Sequence, residues 1–243
     1  GGLTTVMMNY YRMMNKEEVK IDFASTNNPP QVLLDEIHAS GSEYYQLPDR
    51  KNVLAYFFAL KKLCRGYDGM HVHANSAMAV MELQAAIWAG IKIRIIHNHS
   101  SRSQHNLLNQ LFLSLYRRSF TQAVACSDEA GEWLYGKNGF ITLRNAINAK
   151  RFKFDVVKRL IMRHNFGVAD DEYVIGHIGK FMEAKNHSFL IEVFAKYHAL
   201  QPKSKLLLIG DGELRHLVEA AIDKNKVNDC VILAGLRSDF PEL

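Results

Sequence analysis

Along most of this chain, short runs rich in β-branched and aromatic residues alternate with longer segments of helical periodicity, and that alternation admits few folds. KIDFAS is followed by a helical pattern from about Pro30, EYYQL by one from about Asn52, and MHVHA by one from about Ser76. IRIIHNH then precedes a Leu- and Phe-rich pattern from Asn106 to Phe120, and AVACS precedes one opening at Asp128 and leading to ITLRN. Repeated strand–helix–strand units imply a parallel sheet covered by helices. The rhythm breaks over residues 148–172, a charged stretch read as a connector with one helix, and restarts as YVIGHIG, KLLLIG and VILAG with intervening helices. These last strands are unbroken runs of Val, Ile and Leu, the pattern of strands buried on both faces. The expected fold class is α/β with two doubly wound domains: residues 1–150, a connector 151–172, and residues 173–243. Gly1-Gly2 leads directly into a helical pattern with no strand before it, so the first domain is expected to lack its first strand. Only three strands precede Leu243, so the second is expected to be incomplete.

Composition excludes several classes. Hydrophobic residues form 48% and charged residues 23% of the chain, with five prolines, the balance of an ordered globular protein. No apolar run reaches the roughly 20 residues of a membrane span. Cys64, Cys126 and Cys230 are far apart and without C-x-x-C spacing, so neither a disulfide framework nor a thiolate zinc site is expected, and a cytoplasmic setting fits. The net charge of +5 lies wholly before Tyr173, with 21 basic and 16 acidic residues there against 9 and 9 after it. That excess reads first as a solvated surface; anionic membranes, nucleic acid or phosphorylated ligands are partners such a field would favour, and of these nucleic acid is not expected.

In open α/β sheets ligands bind beyond the carboxyl ends of the strands, which narrows the candidates to residues just after each strand. Gly1-Gly2 would let a helix N-terminus approach a diphosphate, or be a simple turn. Gly179-Lys180-Phe181-Met182-Glu183-Ala184-Lys185-Asn186 places two cations on a loop ending at an expected Asn-capped helix. These are either diphosphate anchors or two solvated lysines. Gly210-Asp211-Gly212-Glu213 marks a turn whose acids would favour the next helix. His71 and His73 share one face of their strand, as do His97 and His99. With no carboxylate or thiol at supporting spacing, the set reads as satisfied core histidines with one lining a cleft, and no metal is expected. The helix holding Leu107, Leu108, Leu111, Phe112, Leu115 and Tyr116, then Arg117 and Arg118, reads as core-facing, with a membrane-lying alternative.

The ordered set GGL, YDGMHVHANS, IRIIHNHS, ACSDEAGEWLYG, RNAIN, GHIGKFMEAKNHSFLI, LLLIGDGEL and VILAGLRSD resembles the retaining glycosyltransferases of family four. These have the GT-B architecture of two Rossmann-like domains, and the resemblance is to those that build bacterial capsular or exopolysaccharide units. It implies a nucleotide-sugar donor, a UDP-sugar before a GDP-sugar, lying between the domains, and a glycan or lipid-linked acceptor, at the inner face of the cell membrane where the acceptor is lipid-linked. It further implies that Gly1 and Gly2 approach the phosphates, His99 stands by the transferred sugar, Lys180 and Lys185 hold the diphosphate, and Gly179, Gly210, Leu236 and Arg237 border the nucleotide. No cofactor or metal is then required. Lys180 stands where the family usually has arginine, which keeps the charge and loses the bidentate fork; the family's pair of glutamates seven residues apart is expected beyond Leu243. Two other readings remain at this point: a nonenzymatic fragment or scaffold, and another enzyme of this architecture such as a nucleotide-sugar epimerase.

Overall fold

A computed structural model of the chain describes residues 2–101, 106–237 and 239. It falls into two compact units, residues 1–147 and 148–243. The first runs α1 (Gly2–Met13), β1 (Phe23–Ser25), α2 (Gln31–Ala39), β2 (Tyr44–Gln46), α3 (Val53–Cys64), β3 (Gly69–Ala74), a 3-10 turn (Ala77–Ala79), α4 (Val80–Ala89), β4 (Ile93–Asn98), α5 (Asn106–Ser119), β5 (Gln122–Ala125), α6 (Asp128–Tyr135) and β6 (Ile141–Thr142). β1 and β2 form one sheet and β3-β4-β5-β6 another, with every pairing parallel. Two strands are shorter than their sequence runs: KIDFAS pairs only over Phe23–Ser25, and ITLRN only over Ile141–Thr142.

Local chemistry sets the helix starts and stops. The Asn52 side chain accepts the Ala55 amide at the start of α3, and Ser127 accepts the Ala130 amide at the start of α6, whose first turn also carries Asp128 and Glu129. Gly90 ends α4 in the left-handed conformation, with φ of 88°, where a side chain would be strained. Along β4 the two faces alternate: Ile96 enters a core with Leu83, Tyr116, Ala123, Ala125 and Leu134, while His97 is buried on the opposite face.

Helix α5 is only half a core helix. Tyr116 is fully buried, and Phe112 packs against the same cluster. Leu107 and Leu111, however, are 83% and 71% exposed, and Leu108 and Leu115 are exposed as well. The expectation that these leucines face the core is corrected: spacing of four places Leu107, Leu111 and Leu115 on one outward ridge. Among the described residues, no helix is long and apolar enough to cross a membrane.

The second unit contains a 3-10 turn (Ala149–Phe152), α7 (Val156–Asn165), β7 (Tyr173–Ile178), a 3-10 turn (Glu183–Lys185), α8 (His187–Leu200), β8 (Ser204–Ile209), α9 (Arg215–Lys224) and β9 (Val231–Gly235). Residues 151–172, expected as a separate connector, fall within this unit. Met162 and Phe166 share a groove with Val174, Leu207 and Ile232 of the sheet, and Arg163 donates to the carbonyls of Ala169 and Glu172. The parallel order β7-β8-β9 makes β8 the central strand, and it alone matches the expectation of burial on both faces. β7 is an edge strand and exposes Tyr173 and Ile178.

One buried ion in the first unit gives a stability test. The Glu82 carboxylate, on α4, accepts the Tyr56 hydroxyl at 2.9 Å and pairs with Arg50 at 2.9 Å. Such a charge is tolerated only with its donors in place. Tyr56→Phe removes one of them and is expected to cost about 1–3 kcal/mol. Urea denaturation followed by tryptophan fluorescence reads this unit selectively, because both tryptophans, Trp88 and Trp133, lie in it. An unchanged midpoint would contradict the assignment.

Candidate functional site

In the second unit the parallel order brings the carboxyl ends of β7, β8 and β9 side by side, and the loops that leave them interlock through the backbone. The Gly179 amide donates to the Ile209 carbonyl at 2.9 Å, Gly210 to Gly235 at 2.8 Å, and Phe181 to Asp211 at 3.0 Å. This approach requires glycine. Gly210 has φ of 141°, and a Cβ there would fall 2.0 Å from the Gly179 carbonyl oxygen. A Cβ on Gly212 would lie 2.5 Å from the Phe181 carbonyl oxygen. The resulting open cleft, of about 630 Å³, is bordered by Gly179, Lys180, Gly210, Asp211, Leu236 and Arg237.

Two of its borders are cations with carboxylate partners. Lys180 Nζ lies 2.9 Å from Glu213 Oε1, both side chains being largely exposed, and this contact holds the Glu213 carboxyl below the usual carboxylate range. Arg237 pairs with Asp239, and its guanidinium stacks 5.2 Å from the centre of the Phe166 ring. The exposed Lys180–Glu213 pair contributes little to stability, so an incoming anion exchanges with Glu213 at small cost, whereas the Arg237–Asp239 pair is half-buried. Glu213 was expected to favour the following helix; α9 instead begins at Arg215, and Glu213 is the partner of Lys180. That role depends on two loops meeting, which no local sequence signal reveals.

Lys185 does not border the cleft. It ends the 3-10 turn, with the Cγ and Cδ of its stem against Gly179 and its charge near His177 and His187. Burial first, and Lys185 second among the causes for His177, lower the affinity of that imidazole for protons. Asn186 precedes α8 as expected, yet its side chain makes no capping hydrogen bond. It adopts φ of 45° and ψ of 51°, a left-handed conformation that asparagine tolerates better than most residues. Asn186 serves the turn through its backbone.

In the first unit Gly2 begins α1 and nothing lies within 4 Å of where its Cβ would be; Gly1 lies outside the described residues. The four histidines come together as the strands pair. His73 is in register with His97, and His71 and His99 extend the array along the same face. His73 Nδ1 and His99 Nε2 are 2.9 Å apart, while His97 and His99 stack at 4.2 Å and His71 and His73 at 4.3 Å. The expectation of satisfied core histidines is corrected at His97, which is 0% exposed with neither ring nitrogen hydrogen-bonded. Asn98, fully buried beside it, was not singled out from sequence; it donates to the carbonyls of Ser100 at 2.7 Å and Ala130 at 2.6 Å and so ties the end of β4 to α6.

Parallel α/β units with polar groups gathered at the strand ends are consistent with the GT-B class. Residues 158–243 match the family described as glycosyl transferases group 1. EpsF of Bacillus subtilis (strain 168), a candidate glycosyltransferase by name, is 28% identical across the whole chain, which spans 67% of its length. N-acetyl-alpha-D-glucosaminyl L-malate synthase of Bacillus anthracis is 23% identical over 88% of the chain and 58% of its own length. Among solved structures, Anabaena HepE in complex with UDP and glucose superimposes with a TM-score of 0.77 over the whole chain and 68% of its own, at 20% identity. The chain thus spans about two thirds of the length of EpsF and HepE.

The histidine array makes the first unit sensitive to acid. Burial, then the neighbouring imidazoles, push His73 down to about 2, and burial with His99 and His71 pushes His97 down to about 3. The unfolded chain, with histidines near 6.5, therefore binds more protons. Stability is full above about pH 6.5 and falls as pH drops towards the folded-state values. In metal-free buffer the fluorescence-detected melting temperature should fall between about pH 7.5 and pH 5, and His73→Asn should flatten that slope. An equal slope in the variant would assign the acid sensitivity elsewhere.

Proposed function

We propose that this protein transfers a sugar, with retention, from a nucleotide-sugar donor to a glycan or lipid-linked acceptor during exopolysaccharide or capsule assembly, with a UDP-sugar as donor. The observation that carries the reading is the cleft beyond β7, β8 and β9, where Lys180 and Arg237 flank a glycine-bounded turn. A nucleoside diphosphate matches those two cations in charge. The match of residues 158–243 to the group 1 glycosyl transferases supports it, and HepE with bound UDP supports the choice of base.

In this reading Lys180 releases Glu213 to take a phosphate oxygen, and Lys185 adds positive potential from behind Gly179. Together they offset the charge that develops on the departing nucleoside diphosphate, so no divalent metal is needed for the reaction. His99 is assigned to the transferred sugar. The acceptor hydroxyl passes its proton to the leaving phosphate.

Calorimetric titration with UDP and GDP tests the donor site. Saturable UDP binding is expected, weakened roughly tenfold or more in a Lys180→Ala, Lys185→Ala double variant. Unchanged affinity in the variant, or preference for GDP, contradicts the site or the base respectively.

The exposed ridge of Leu107, Leu111 and Leu115, with Arg118 beyond it, supports peripheral contact with an anionic membrane, where a lipid-linked acceptor would be met. Co-sedimentation with anionic vesicles at low salt is expected, and Leu107→Asp, Leu111→Asp should abolish it. A chain that stays in the supernatant excludes membrane contact.

A further inference from the structure

Beyond the transfer reaction, we propose that His71, His73 and His97 form a binding site for one borderline transition-metal ion of the Zn²⁺ type, open to solvent at His71. The site is built by strand pairing. β3 and β4 are parallel with His73 opposite His97, and the two-residue period carries His71 onto the same face. One ring nitrogen from each of the three lies within 4.8 Å of the others.

Tetrahedral zinc with nitrogens at about 2.0–2.1 Å needs ligand atoms about 3.4 Å apart. Side-chain torsions must therefore draw the nitrogens in by roughly 1 Å and turn the nearly parallel rings of His71 and His97, at 8° to each other, until their in-plane lone pairs converge. Two observations favour an ion over plain packing. His97 is fully buried with both nitrogens unpartnered, a costly arrangement for a polar ring unless something occupies its lone pair. His71, in contrast, is exposed and provides a way in.

The donor set determines the kind of ion. Three imidazoles with no carboxylate or thiolate in the cluster suit Zn²⁺, Co²⁺, Ni²⁺ or Cu²⁺ and do not suit Mg²⁺ or Ca²⁺, which require oxygen. Three protein nitrogens leave one position for water. The hydrogen bond from His73 to His99 then acquires a second meaning: a metal on the other nitrogen of His73 would leave Nδ1 as the donor, fixing His99 Nε2 as the acceptor. The ion would thereby set the tautomer of His99 without taking part in transfer.

Cobalt serves as the probe because its visible spectrum reports geometry. The 243-residue chain, without a polyhistidine tag, is titrated with Co²⁺ in buffer free of chelators. One ion per chain is expected, giving the intense d–d bands of a tetrahedral nitrogen site, displaced by Zn²⁺ and lacking a thiolate charge-transfer band. His71→Ala, at an exposed position where folding is safe, should weaken binding roughly tenfold or more, and His97→Asn should abolish the bands. His164→Ala, in the second unit, should change nothing. Weak binding with an octahedral spectrum, bands that persist in His71→Ala, or thiolate bands from a cysteine would each overturn the proposal. Melting of the variants in chelator separates loss of the ion from loss of the fold.

Discussion

Parallel pairing of the strands is the constraint on which everything functional in this chain depends. Each parallel ladder aligns the carboxyl ends of its strands, so residues far apart in sequence arrive at one edge. In the second unit this gathers the loops after residues 178, 209 and 235. In the first it sets His73 beside His97, 24 positions later. Hydrophobic burial of the opposite face, through Ile96, Ala123 and Ala125 above α4, α5 and α6, holds that ladder in register. A one-residue slip would turn the histidines towards that core.

Glycine then decides how closely the loops approach. Gly210 and Gly212 bring the turn after β8 against the backbone of Gly179 and Phe181, at distances that leave no room for a side chain. The consequence is a cleft walled by main chain, whose amide and carbonyl groups are already paired with one another across the loops. Its positive charge, among the described residues, comes from Lys180 and Arg237 on the rim, each held by a nearby carboxylate. The site is thus organised yet electrostatically exchangeable, which suits an anionic ligand that must also leave.

The first unit concentrates a different chemistry. Four imidazoles on one sheet face, all shifted towards the neutral form by desolvation and His71, His73 and His97 also by neighbouring rings, are poor cations and good lone-pair donors. The outward leucines of α5 add an apolar ridge on a helix whose inner side, through Tyr116, belongs to the same core as Ile96. Sheet and helix in this unit each present one face to this core, with the histidines on the sheet's other face and the exposed leucines on the helix's.

The amino-acid sequence alone determined the order of strands and helices, the α/β class, and the loops on which the candidate groups sit, because those follow from local periodicity, glycine and capping chemistry acting over a few residues. Ser127, Asn52 and Gly90 are legible in that sense. Gly179, Lys180 and Gly210 were legible as residues just after strands, whereas Leu236 and Arg237 came only from the family resemblance. What sequence could not decide was partnership across the fold. That Glu213 holds Lys180, that Lys185 stands behind Gly179 and not in the cleft, that β7 is an exposed edge, and that His97 is buried without a partner all depend on which strands become neighbours. Tertiary packing settled these points, because strand order and side-chain burial are set by the sum of many distant contacts and leave no local signature.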